Sequence, residues 1–241
     1  YRLYSGSQLA ENRVMAVVQP ENTQQVSHLV QLAKEFDLSL IPYGGGTGVM
    51  GSVIPFRAAI SVDMKRMDSI FEINIEERLA VAQPGVILAQ LAVEAAQHGL
   101  MFGHDPWSLP IATLGGAIST NGIGYRASKY GSMGDQVRGL EVVLGDGKVV
   151  RTRSLIQTGS GPHSNGLFIG AEGTMGIITE ATIQLFGQPE IREFMTLGFR
   201  SFEAGFPAVL KLFELGLIPA LVDLTEEEPL EGAYGFRAVL Y

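Results

Sequence analysis

The chain has 241 residues, 46% hydrophobic and 17% charged, enough for one or two buried cores. A formal net charge of −8 argues against a nucleic-acid surface as its main business, and the lack of cysteine excludes disulfides, thiolate catalysis and cysteine-held metal. No apolar run approaches the ~20 residues of a membrane helix and no stretch reads as a signal peptide, so a soluble, cytoplasmic protein is expected.

In chain order, "RVMAVVQP" (Arg13–Pro20) reads as a strand closed by proline. In "ENTQQVSHLVQLAKEFD", Val26, Leu29, Val30, Ala33 and Phe36 keep helical spacing, and Asn22 with Gln25 forms a capping-box pattern. "LSLIPY" is the next strand and runs into three glycines. "AAISVDM" (Ala58–Met64) and "RLAVAQPG" (Arg78–Gly85) are further strands. "VILAQLAVEAAQHG" reads as a helix with Ile87, Leu88, Leu91, Ala92 and Ala95 on one side and Gly99 just past its end. This alternation predicts an α-and-β protein rather than a sandwich or bundle.

From Gly103 to Asp135 the chain is rich in Gly, Ser and Thr and short of periodicity, which reads as a long functional loop. "LEVVLGDGKVVRT" predicts a hairpin turning near Gly145, Asp146 and Gly147, and Asn165–Leu185 ends in an alternating strand. After Pro189 a new unit is expected: "REFMTLGFR" as a strand, "SFEAGFPAVLKLFELG" as a helix, "IPALVDL" as a strand, an acidic loop, and "YGFRAVL" as a last strand. The boundary is placed near Gln188–Arg192. Tyr1 is not an initiator methionine and the chain stops inside that last strand, so a fragment is expected.

Three glycine-and-hydroxyl stretches carry the chemistry. "YGGGTG" can grip an anionic group through consecutive backbone N–H groups without a lysine, or it is a tight turn. It is not a P-loop, because no Gly-Lys-Ser/Thr follows, and Gly46–Gly51 matches the dinucleotide fingerprint in letters only, because a strand rather than a helix comes next. In "ATLGGAISTNGIG", Thr113, Ser119, Thr120 and Asn121 can hydrogen-bond a ligand while Gly115 and Gly116 leave room for a ring or a backbone. "AEGTMGII" is the third. The three line one extended ligand, or they are three unrelated turns.

"PYGGGTG", "DPWSLPIATLGGAISTNGIGYRASKYG", "VRGLEVVLGDGKVV" and "FIGAEGTMGIITEATIQL", in this order and spacing, resemble the FAD-binding domain of the vanillyl-alcohol oxidase / para-cresol methylhydroxylase superfamily over roughly residues 14 to 188. Within it the chain looks most like glycolate or D-lactate dehydrogenase-like proteins and alkyl-dihydroxyacetone-phosphate synthases. The resemblance implies an α+β fold: residues 1–189 as a FAD-binding domain of two subdomains split near 75, and 190–241 as the start of an α+β cap.

It also implies roles. Pro42, Tyr43, Gly44, Gly45, Gly46, Thr47 and Gly48 match the loop whose amides bind the pyrophosphate. Trp107, Ser108, Leu109, Pro110, Ile111, Ala112 and Thr113, with Gly116, Thr120, Asn121, Gly122 and Ile123, match segments around the flavin and its ribityl chain. Glu172, Gly173, Thr174, Met175, Gly176, Ile177 and Ile178 match the last FAD-contacting segment. Thr47 stands where covalently flavinylated relatives often carry histidine, so noncovalent FAD is expected.

Among single residues, His104 alone of the four histidines has a site-like neighbourhood and is the one candidate for catalysis; His28, His98 and His163 read as surface or loop, and no histidine pair has metal-ligand spacing. Asp105 reads as a turn residue before Pro106 and Tyr130 as packing. Trp107 packs or stacks on a ring. Arg126 and Lys129 meet phosphate, substrate carboxylate or only water. Glu226, Glu227 and Glu228 read as a solvated acidic run. The function the resemblance implies is a FAD-dependent oxidoreductase that oxidises a 2-hydroxy acid or similar alcohol by hydride transfer, with a small-molecule substrate, an unidentified electron acceptor, a base located largely in the cap and the region after it, and homo-oligomerisation left open. The alternatives are an alkyl-dihydroxyacetone-phosphate synthase-like transferase working through a flavin adduct, and a non-catalytic flavin-binding subunit.

Overall fold

The computed structural model describes residues 13–154, 161–195, 197–227 and 235–237. Strands β1 (Val14–Val18), β2 (Ser39–Tyr43) and β3 (Ala59–Asp63) form a small parallel sheet in the order β1-β3-β2. Parallel neighbours need a crossover, and helix α1 (Thr23–Glu35) supplies the one from β1 to β2. Its start is written locally. Asn22 Oδ1 accepts from Gln25 N at 3.0 Å, while Gln25 Oε1 reaches back to Glu21 N at 2.8 Å, one residue before the cap. Val26, Val30 and Ala33 are its buried stripe.

The second sheet is antiparallel, β4-β5-β9-β7-β8, built from β4 (Ile70–Asn74), β5 (Leu79–Ala82), β7 (Val137–Val143), β8 (Val149–Arg151) and β9 (Ile177–Gln184). A two-stranded ribbon pairs β6 (Leu100–Met101) with β10 (Phe186–Gly187). Helix α2 (Leu88–Gln97) lays Leu88, Leu91 and Ala95 into the main core, which also holds Leu114, Ile118, Val142 and Ile183. Each buried Leu, Ile or Val side chain among them is worth about 1.5–3 kcal/mol. Gly99, just past α2, takes a φ of 69°.

The changeover between the two sheets lies over Met64–Ser69, while residue 75 falls in the turn from β4 to β5. The sheets are packed together rather than strung on a linker. Val26 and Val30 of α1 share a core with Val62, Met64, Met67, Val143 and Ile177. Across the same seam Thr23 Oγ1 donates to Glu141 Oε1 at 2.6 Å and Ser27 Oγ to Gly147 O at 2.6 Å.

Several expectations are corrected. Strand β4 went unread because its pairing with β5 slips between Ile70 and Glu72, and the bulge breaks the alternation a strand should show. The Gly103–Asp135 stretch contains two short helices, α3 (Leu114–Ser119) and α4 (Ala127–Tyr130). After Pro189 the helix forms as expected, as α5 (Phe202–Glu214), and the strand expected at "YGFRAVL" is present over its described residues, 235–237. Residues 192–200 and 218–224 form no strand among the described residues; the strand there is β11 (Thr225–Glu227), pairing with β12 (Gly235–Arg237), where an acidic loop was expected. Glu228, the rest of "YGFRAVL" outside β12, and Tyr1 lie outside the described residues. Among the described residues no helix is long and apolar enough to cross a membrane.

Candidate functional site

Strand β2 ends at Tyr43, and the chain leaves its carboxyl end as the glycine loop before returning in β3. Open α/β sheets bind ligands at such strand ends. The loop is seated on a second segment. A Cβ at Gly44 would overlap Thr113 Oγ1, and one at Gly45 would overlap the Ile111 carbonyl. Side chains are excluded there because two backbones meet. Gly46 has φ 66°, a conformation open to glycine. Among the hydrogen bonds of the described residues, none is donated by the backbone N–H of Gly44, Gly45, Gly46, Thr47 or Gly48.

Helix α3 is the hub. Thr113 is its N-cap residue and Gly115 rests against Pro84, where a Cβ would stand 2.5 Å from Pro84 Cβ. From its other end Ser119 O accepts from Glu172 N at 2.9 Å and Ile118 O from Gly170 N at 3.1 Å, which draws in the third segment. Gly173, with φ 83°, then lies against Pro42 of the first segment, where a Cβ would meet Pro42 Cγ at 2.9 Å. Asn121 and Glu172 are non-glycine residues held at positive φ of 48° and 49°. Asn121 Oδ1 accepts from Gly134 N at 2.9 Å, which ties its turn down.

The three segments enclose one cavity of about 550 Å³, within the few hundred to a thousand Å³ that ligand sites occupy. Of the residues singled out from the sequence, Pro42 to Gly48, Ser108, Ala112, Thr113, Gly116, Thr120, Asn121, Gly122, Ile123, Glu172, Gly173, Gly176, Ile177 and Ile178 line it. Trp107, Leu109, Pro110, Ile111, Thr174 and Met175 do not line it. Trp107 is 87% exposed, Leu109 packs on the core, and Thr174 Oγ1 turns away to Ala171 O at 2.7 Å. The expected list missed Val49, Met50, Ser52, Val53, Met64, Pro84, Pro106 and Ala117. Val49 to Val53 simply continue the glycine loop; Met64 and Pro84 come from elements that only folding brings to the wall.

His104 stands in the same wall, 2% exposed, with Nδ1 buried and unpartnered. Its Nε2 edge lies against Gly122, and the Phe102 ring meets it edge-on at 6.2 Å. Burial lowers the imidazole to about 4, so the ring is neutral. Thr113 Oγ1 is the second buried, unpartnered polar atom of the wall. The remaining singled-out residues find protein partners. Arg126 Nε pairs with Asp105 Oδ2 at 3.0 Å, and Asp105 is more than a turn residue. Lys129 Nζ lies 5.8 Å over the Tyr130 ring, and Tyr130 packs on Phe186. His28 and His163 are exposed, and His98 Nδ1 sits 3.0 Å from Glu94 O.

Comparison with known proteins accords with this geometry. Residues 14–153 match the family described as FAD binding domain. The glycolate oxidase subunit GlcD of Bacillus subtilis is 34% identical over 89% of this chain and 46% of its own length. A D-lactate dehydrogenase of Archaeoglobus fulgidus is 35% identical over 92% of this chain and 49% of its own. A solved alkyldihydroxyacetonephosphate synthase superposes with a TM-score of 0.80 at 30% identity, covering 87% of this chain and 38% of that one. The chain thus spans less than half the length of these relatives. It belongs to the FAD binding domain family, and its fold is that α+β FAD-binding fold. FAD is the cofactor the family binds, and the residues present fit it: free backbone amides on a glycine loop suit a diphosphate, and His104 and Thr113, two residues of the same cavity wall, each hold a buried polar atom without a partner.

Proposed function

We propose that this member of the FAD binding domain family is the cofactor-holding portion of an oxidoreductase that oxidises a 2-hydroxy acid. Residues 1–189 act as the FAD-binding domain and 190–241 as the start of a cap over it. The observation that carries the reading is the meeting of three distant segments around one cavity whose wall holds unsatisfied donors. The glycolate oxidase and D-lactate dehydrogenase relatives support the substrate class.

When bound, FAD supplies the two-electron acceptor that amino-acid side chains lack. This chain binds and orients. The amides of Gly44 to Gly48 would hold the diphosphate, with backbone dipoles in place of a lysine. Thr113 Oγ1 and the walls at Thr120–Ile123 and Glu172–Ile178 hold the rest of the nucleotide. The bond is noncovalent, because the loop offers Thr47 and no ring nitrogen. Burial keeps the His104 imidazole neutral; we place the base that takes the hydroxyl proton in the cap and the region after it. A small-molecule substrate, a separate electron acceptor and a cytoplasmic setting belong to the same reading.

An absorption spectrum of the purified full-length protein tests it. A flavin spectrum, release of the chromophore by denaturation, and anaerobic bleaching by one of a panel of D- and L-2-hydroxy acids are expected. A colourless protein that stays so with added FAD overturns the reading. The close superposition on an alkyldihydroxyacetonephosphate synthase favours a second reading, transferase chemistry without net oxidation. It wins if no hydroxy acid bleaches the protein and a fatty acyl-dihydroxyacetone phosphate perturbs its spectrum. Indifference to both marks a flavin-binding subunit without catalysis.

A further inference from the structure

His104 is held by more than its own contacts. The segment that carries it, from Phe102 to Asp105, is fastened to the turn from Gly122 to Arg126. Asp105 Oδ1 accepts from Arg126 N at 2.9 Å, and Asp105 Oδ2 pairs with Arg126 Nε at 3.0 Å. Arg126 Nη1 reaches over to Phe102 O at 3.3 Å, and Tyr125 N donates to Asp105 O at 3.3 Å. One guanidinium therefore grips the residues on either side of the histidine. The facing turn is cut to fit: a Cβ at Gly124 would stand 2.8 Å from Asp105 N, and one at Gly122 would stand 3.2 Å from His104 Nε2.

We propose that Asp105 and Arg126 are a positioning pair, which locks the two segments together so that the His104 imidazole stands in the cavity wall in a single orientation. Neither residue of the pair lines the cavity; the pair acts through the ring it places. The inference rests on the reading of this cavity as the cofactor site, yet it concerns geometry that exists whatever fills the cavity. The planar fork of arginine suits the task, since it makes several fixed hydrogen bonds at once where a lysine would make a point contact. Asp105 and Arg126 are the charged groups on the two segments packed against the ring, and they neutralise each other. Glu172 is the further carboxylate on the same cavity wall.

The test reads the ring directly. Full-length protein as purified, labelled at histidine Cε1, is titrated by NMR, with His104→Asn identifying the resonance. In the parent protein His104 is expected to titrate well below the ordinary histidine value, at about 4, because it is buried. In Arg126→Leu the loosened segment admits water, and the midpoint moves up by at least about one pH unit toward the ordinary histidine value. Glu141→Gln, which weakens the fold elsewhere, leaves the midpoint in place. Asp105→Asn is read beside it, and in its place should Arg126→Leu fail to fold: it leaves the Arg126 cation near the ring, which by charge alone would lower the midpoint, so the same upward move reports water entering a loosened segment rather than a change of charge. An unmoved midpoint in a folded variant overturns the proposal. Unfolding of both variants overturns it too, because the pair would then hold the fold rather than aim one ring. Flavin content, read by absorbance on the same samples, judges the cofactor reading separately.

Discussion

Gly44 lies directly over Thr113: a Cβ at residue 44 would overlap Thr113 Oγ1, a buried hydroxyl with no partner of its own. The glycine is therefore required by a contact some seventy residues away in sequence. Gly44→Ala forces the loop off that seat. Overpacking of this kind costs about 1–3 kcal/mol, so a lowered melting temperature together with impaired FAD binding is expected, both measured on the purified variant.

Gly48 gives the opposite case. A Cβ there meets no protein atom within 4 Å, and its φ lies outside the region reserved for glycine. Gly48→Ala is expected to leave the stability of the flavin-free protein within about 0.5 kcal/mol of the parent. If the loop amides close on a diphosphate, the added methyl still weakens FAD binding. Equal affinity in a fluorescence titration would remove Gly48 from the site.

The buried imidazole of His104 links stability to pH. Its folded value of about 4 lies below the ordinary 6.5, so between these limits the unfolded chain binds a proton that the folded chain refuses. Stability is thus complete above pH 6.5 and is lost as pH falls toward 4, by at most about 3 kcal/mol. Chemical denaturation across this window is expected to show the slope in the parent and to lose most of it in His104→Gln.

Glu141 governs the seam between the sheets. It is 6% exposed and accepts from Thr23 Oγ1, Thr179 Oγ1 at 2.8 Å and Arg151 Nε at 2.8 Å. Burial alone would raise its carboxyl; the hydrogen bonds from Thr23, Thr179 and Arg151 outweigh that and hold it below the usual value. A depressed carboxylate contributes stability that is present above pH 4.5 and is lost as pH falls below it. Glu141→Gln is expected to cost about 2–4 kcal/mol in denaturant unfolding and to flatten the acid limb below pH 4.5. A double-mutant cycle with Thr23→Ala reads the coupling across the seam.

Elements set by neighbours in the chain could be read from the sequence. The Asn22–Gln25 cap, the α1 stripe at Val26, Val30 and Ala33, the Gly145–Gly147 hairpin turn and the glycine past α2 are decided within a few residues, and the structure keeps each of them, whereas Phe36, read on the same stripe, lies exposed at the end of the helix. Helix α3 could not be read, because its two glycines look like loop until Pro84 is seen pressed against one of them. Strand β4 was hidden by a bulge that only its partner β5 defines. After Pro189 the apolar runs pointed to strands at 192–200 and 218–224, but strand pairing depends on what the chain finds alongside, and it formed at Thr225–Glu227 instead.

The same division runs through the site. The amino-acid order alone determined which three segments are rich in glycine and hydroxyls, hence which backbones can come close to a ligand. Only the tertiary structure decided that they meet, that Trp107 turns to solvent, that His104 is neutral, and that Arg126 spends its charge on Asp105. The reason is physical. Backbone freedom is a property of each residue, whereas burial, orphaned donors and ion pairing exist only once distant parts of the chain have excluded water between them.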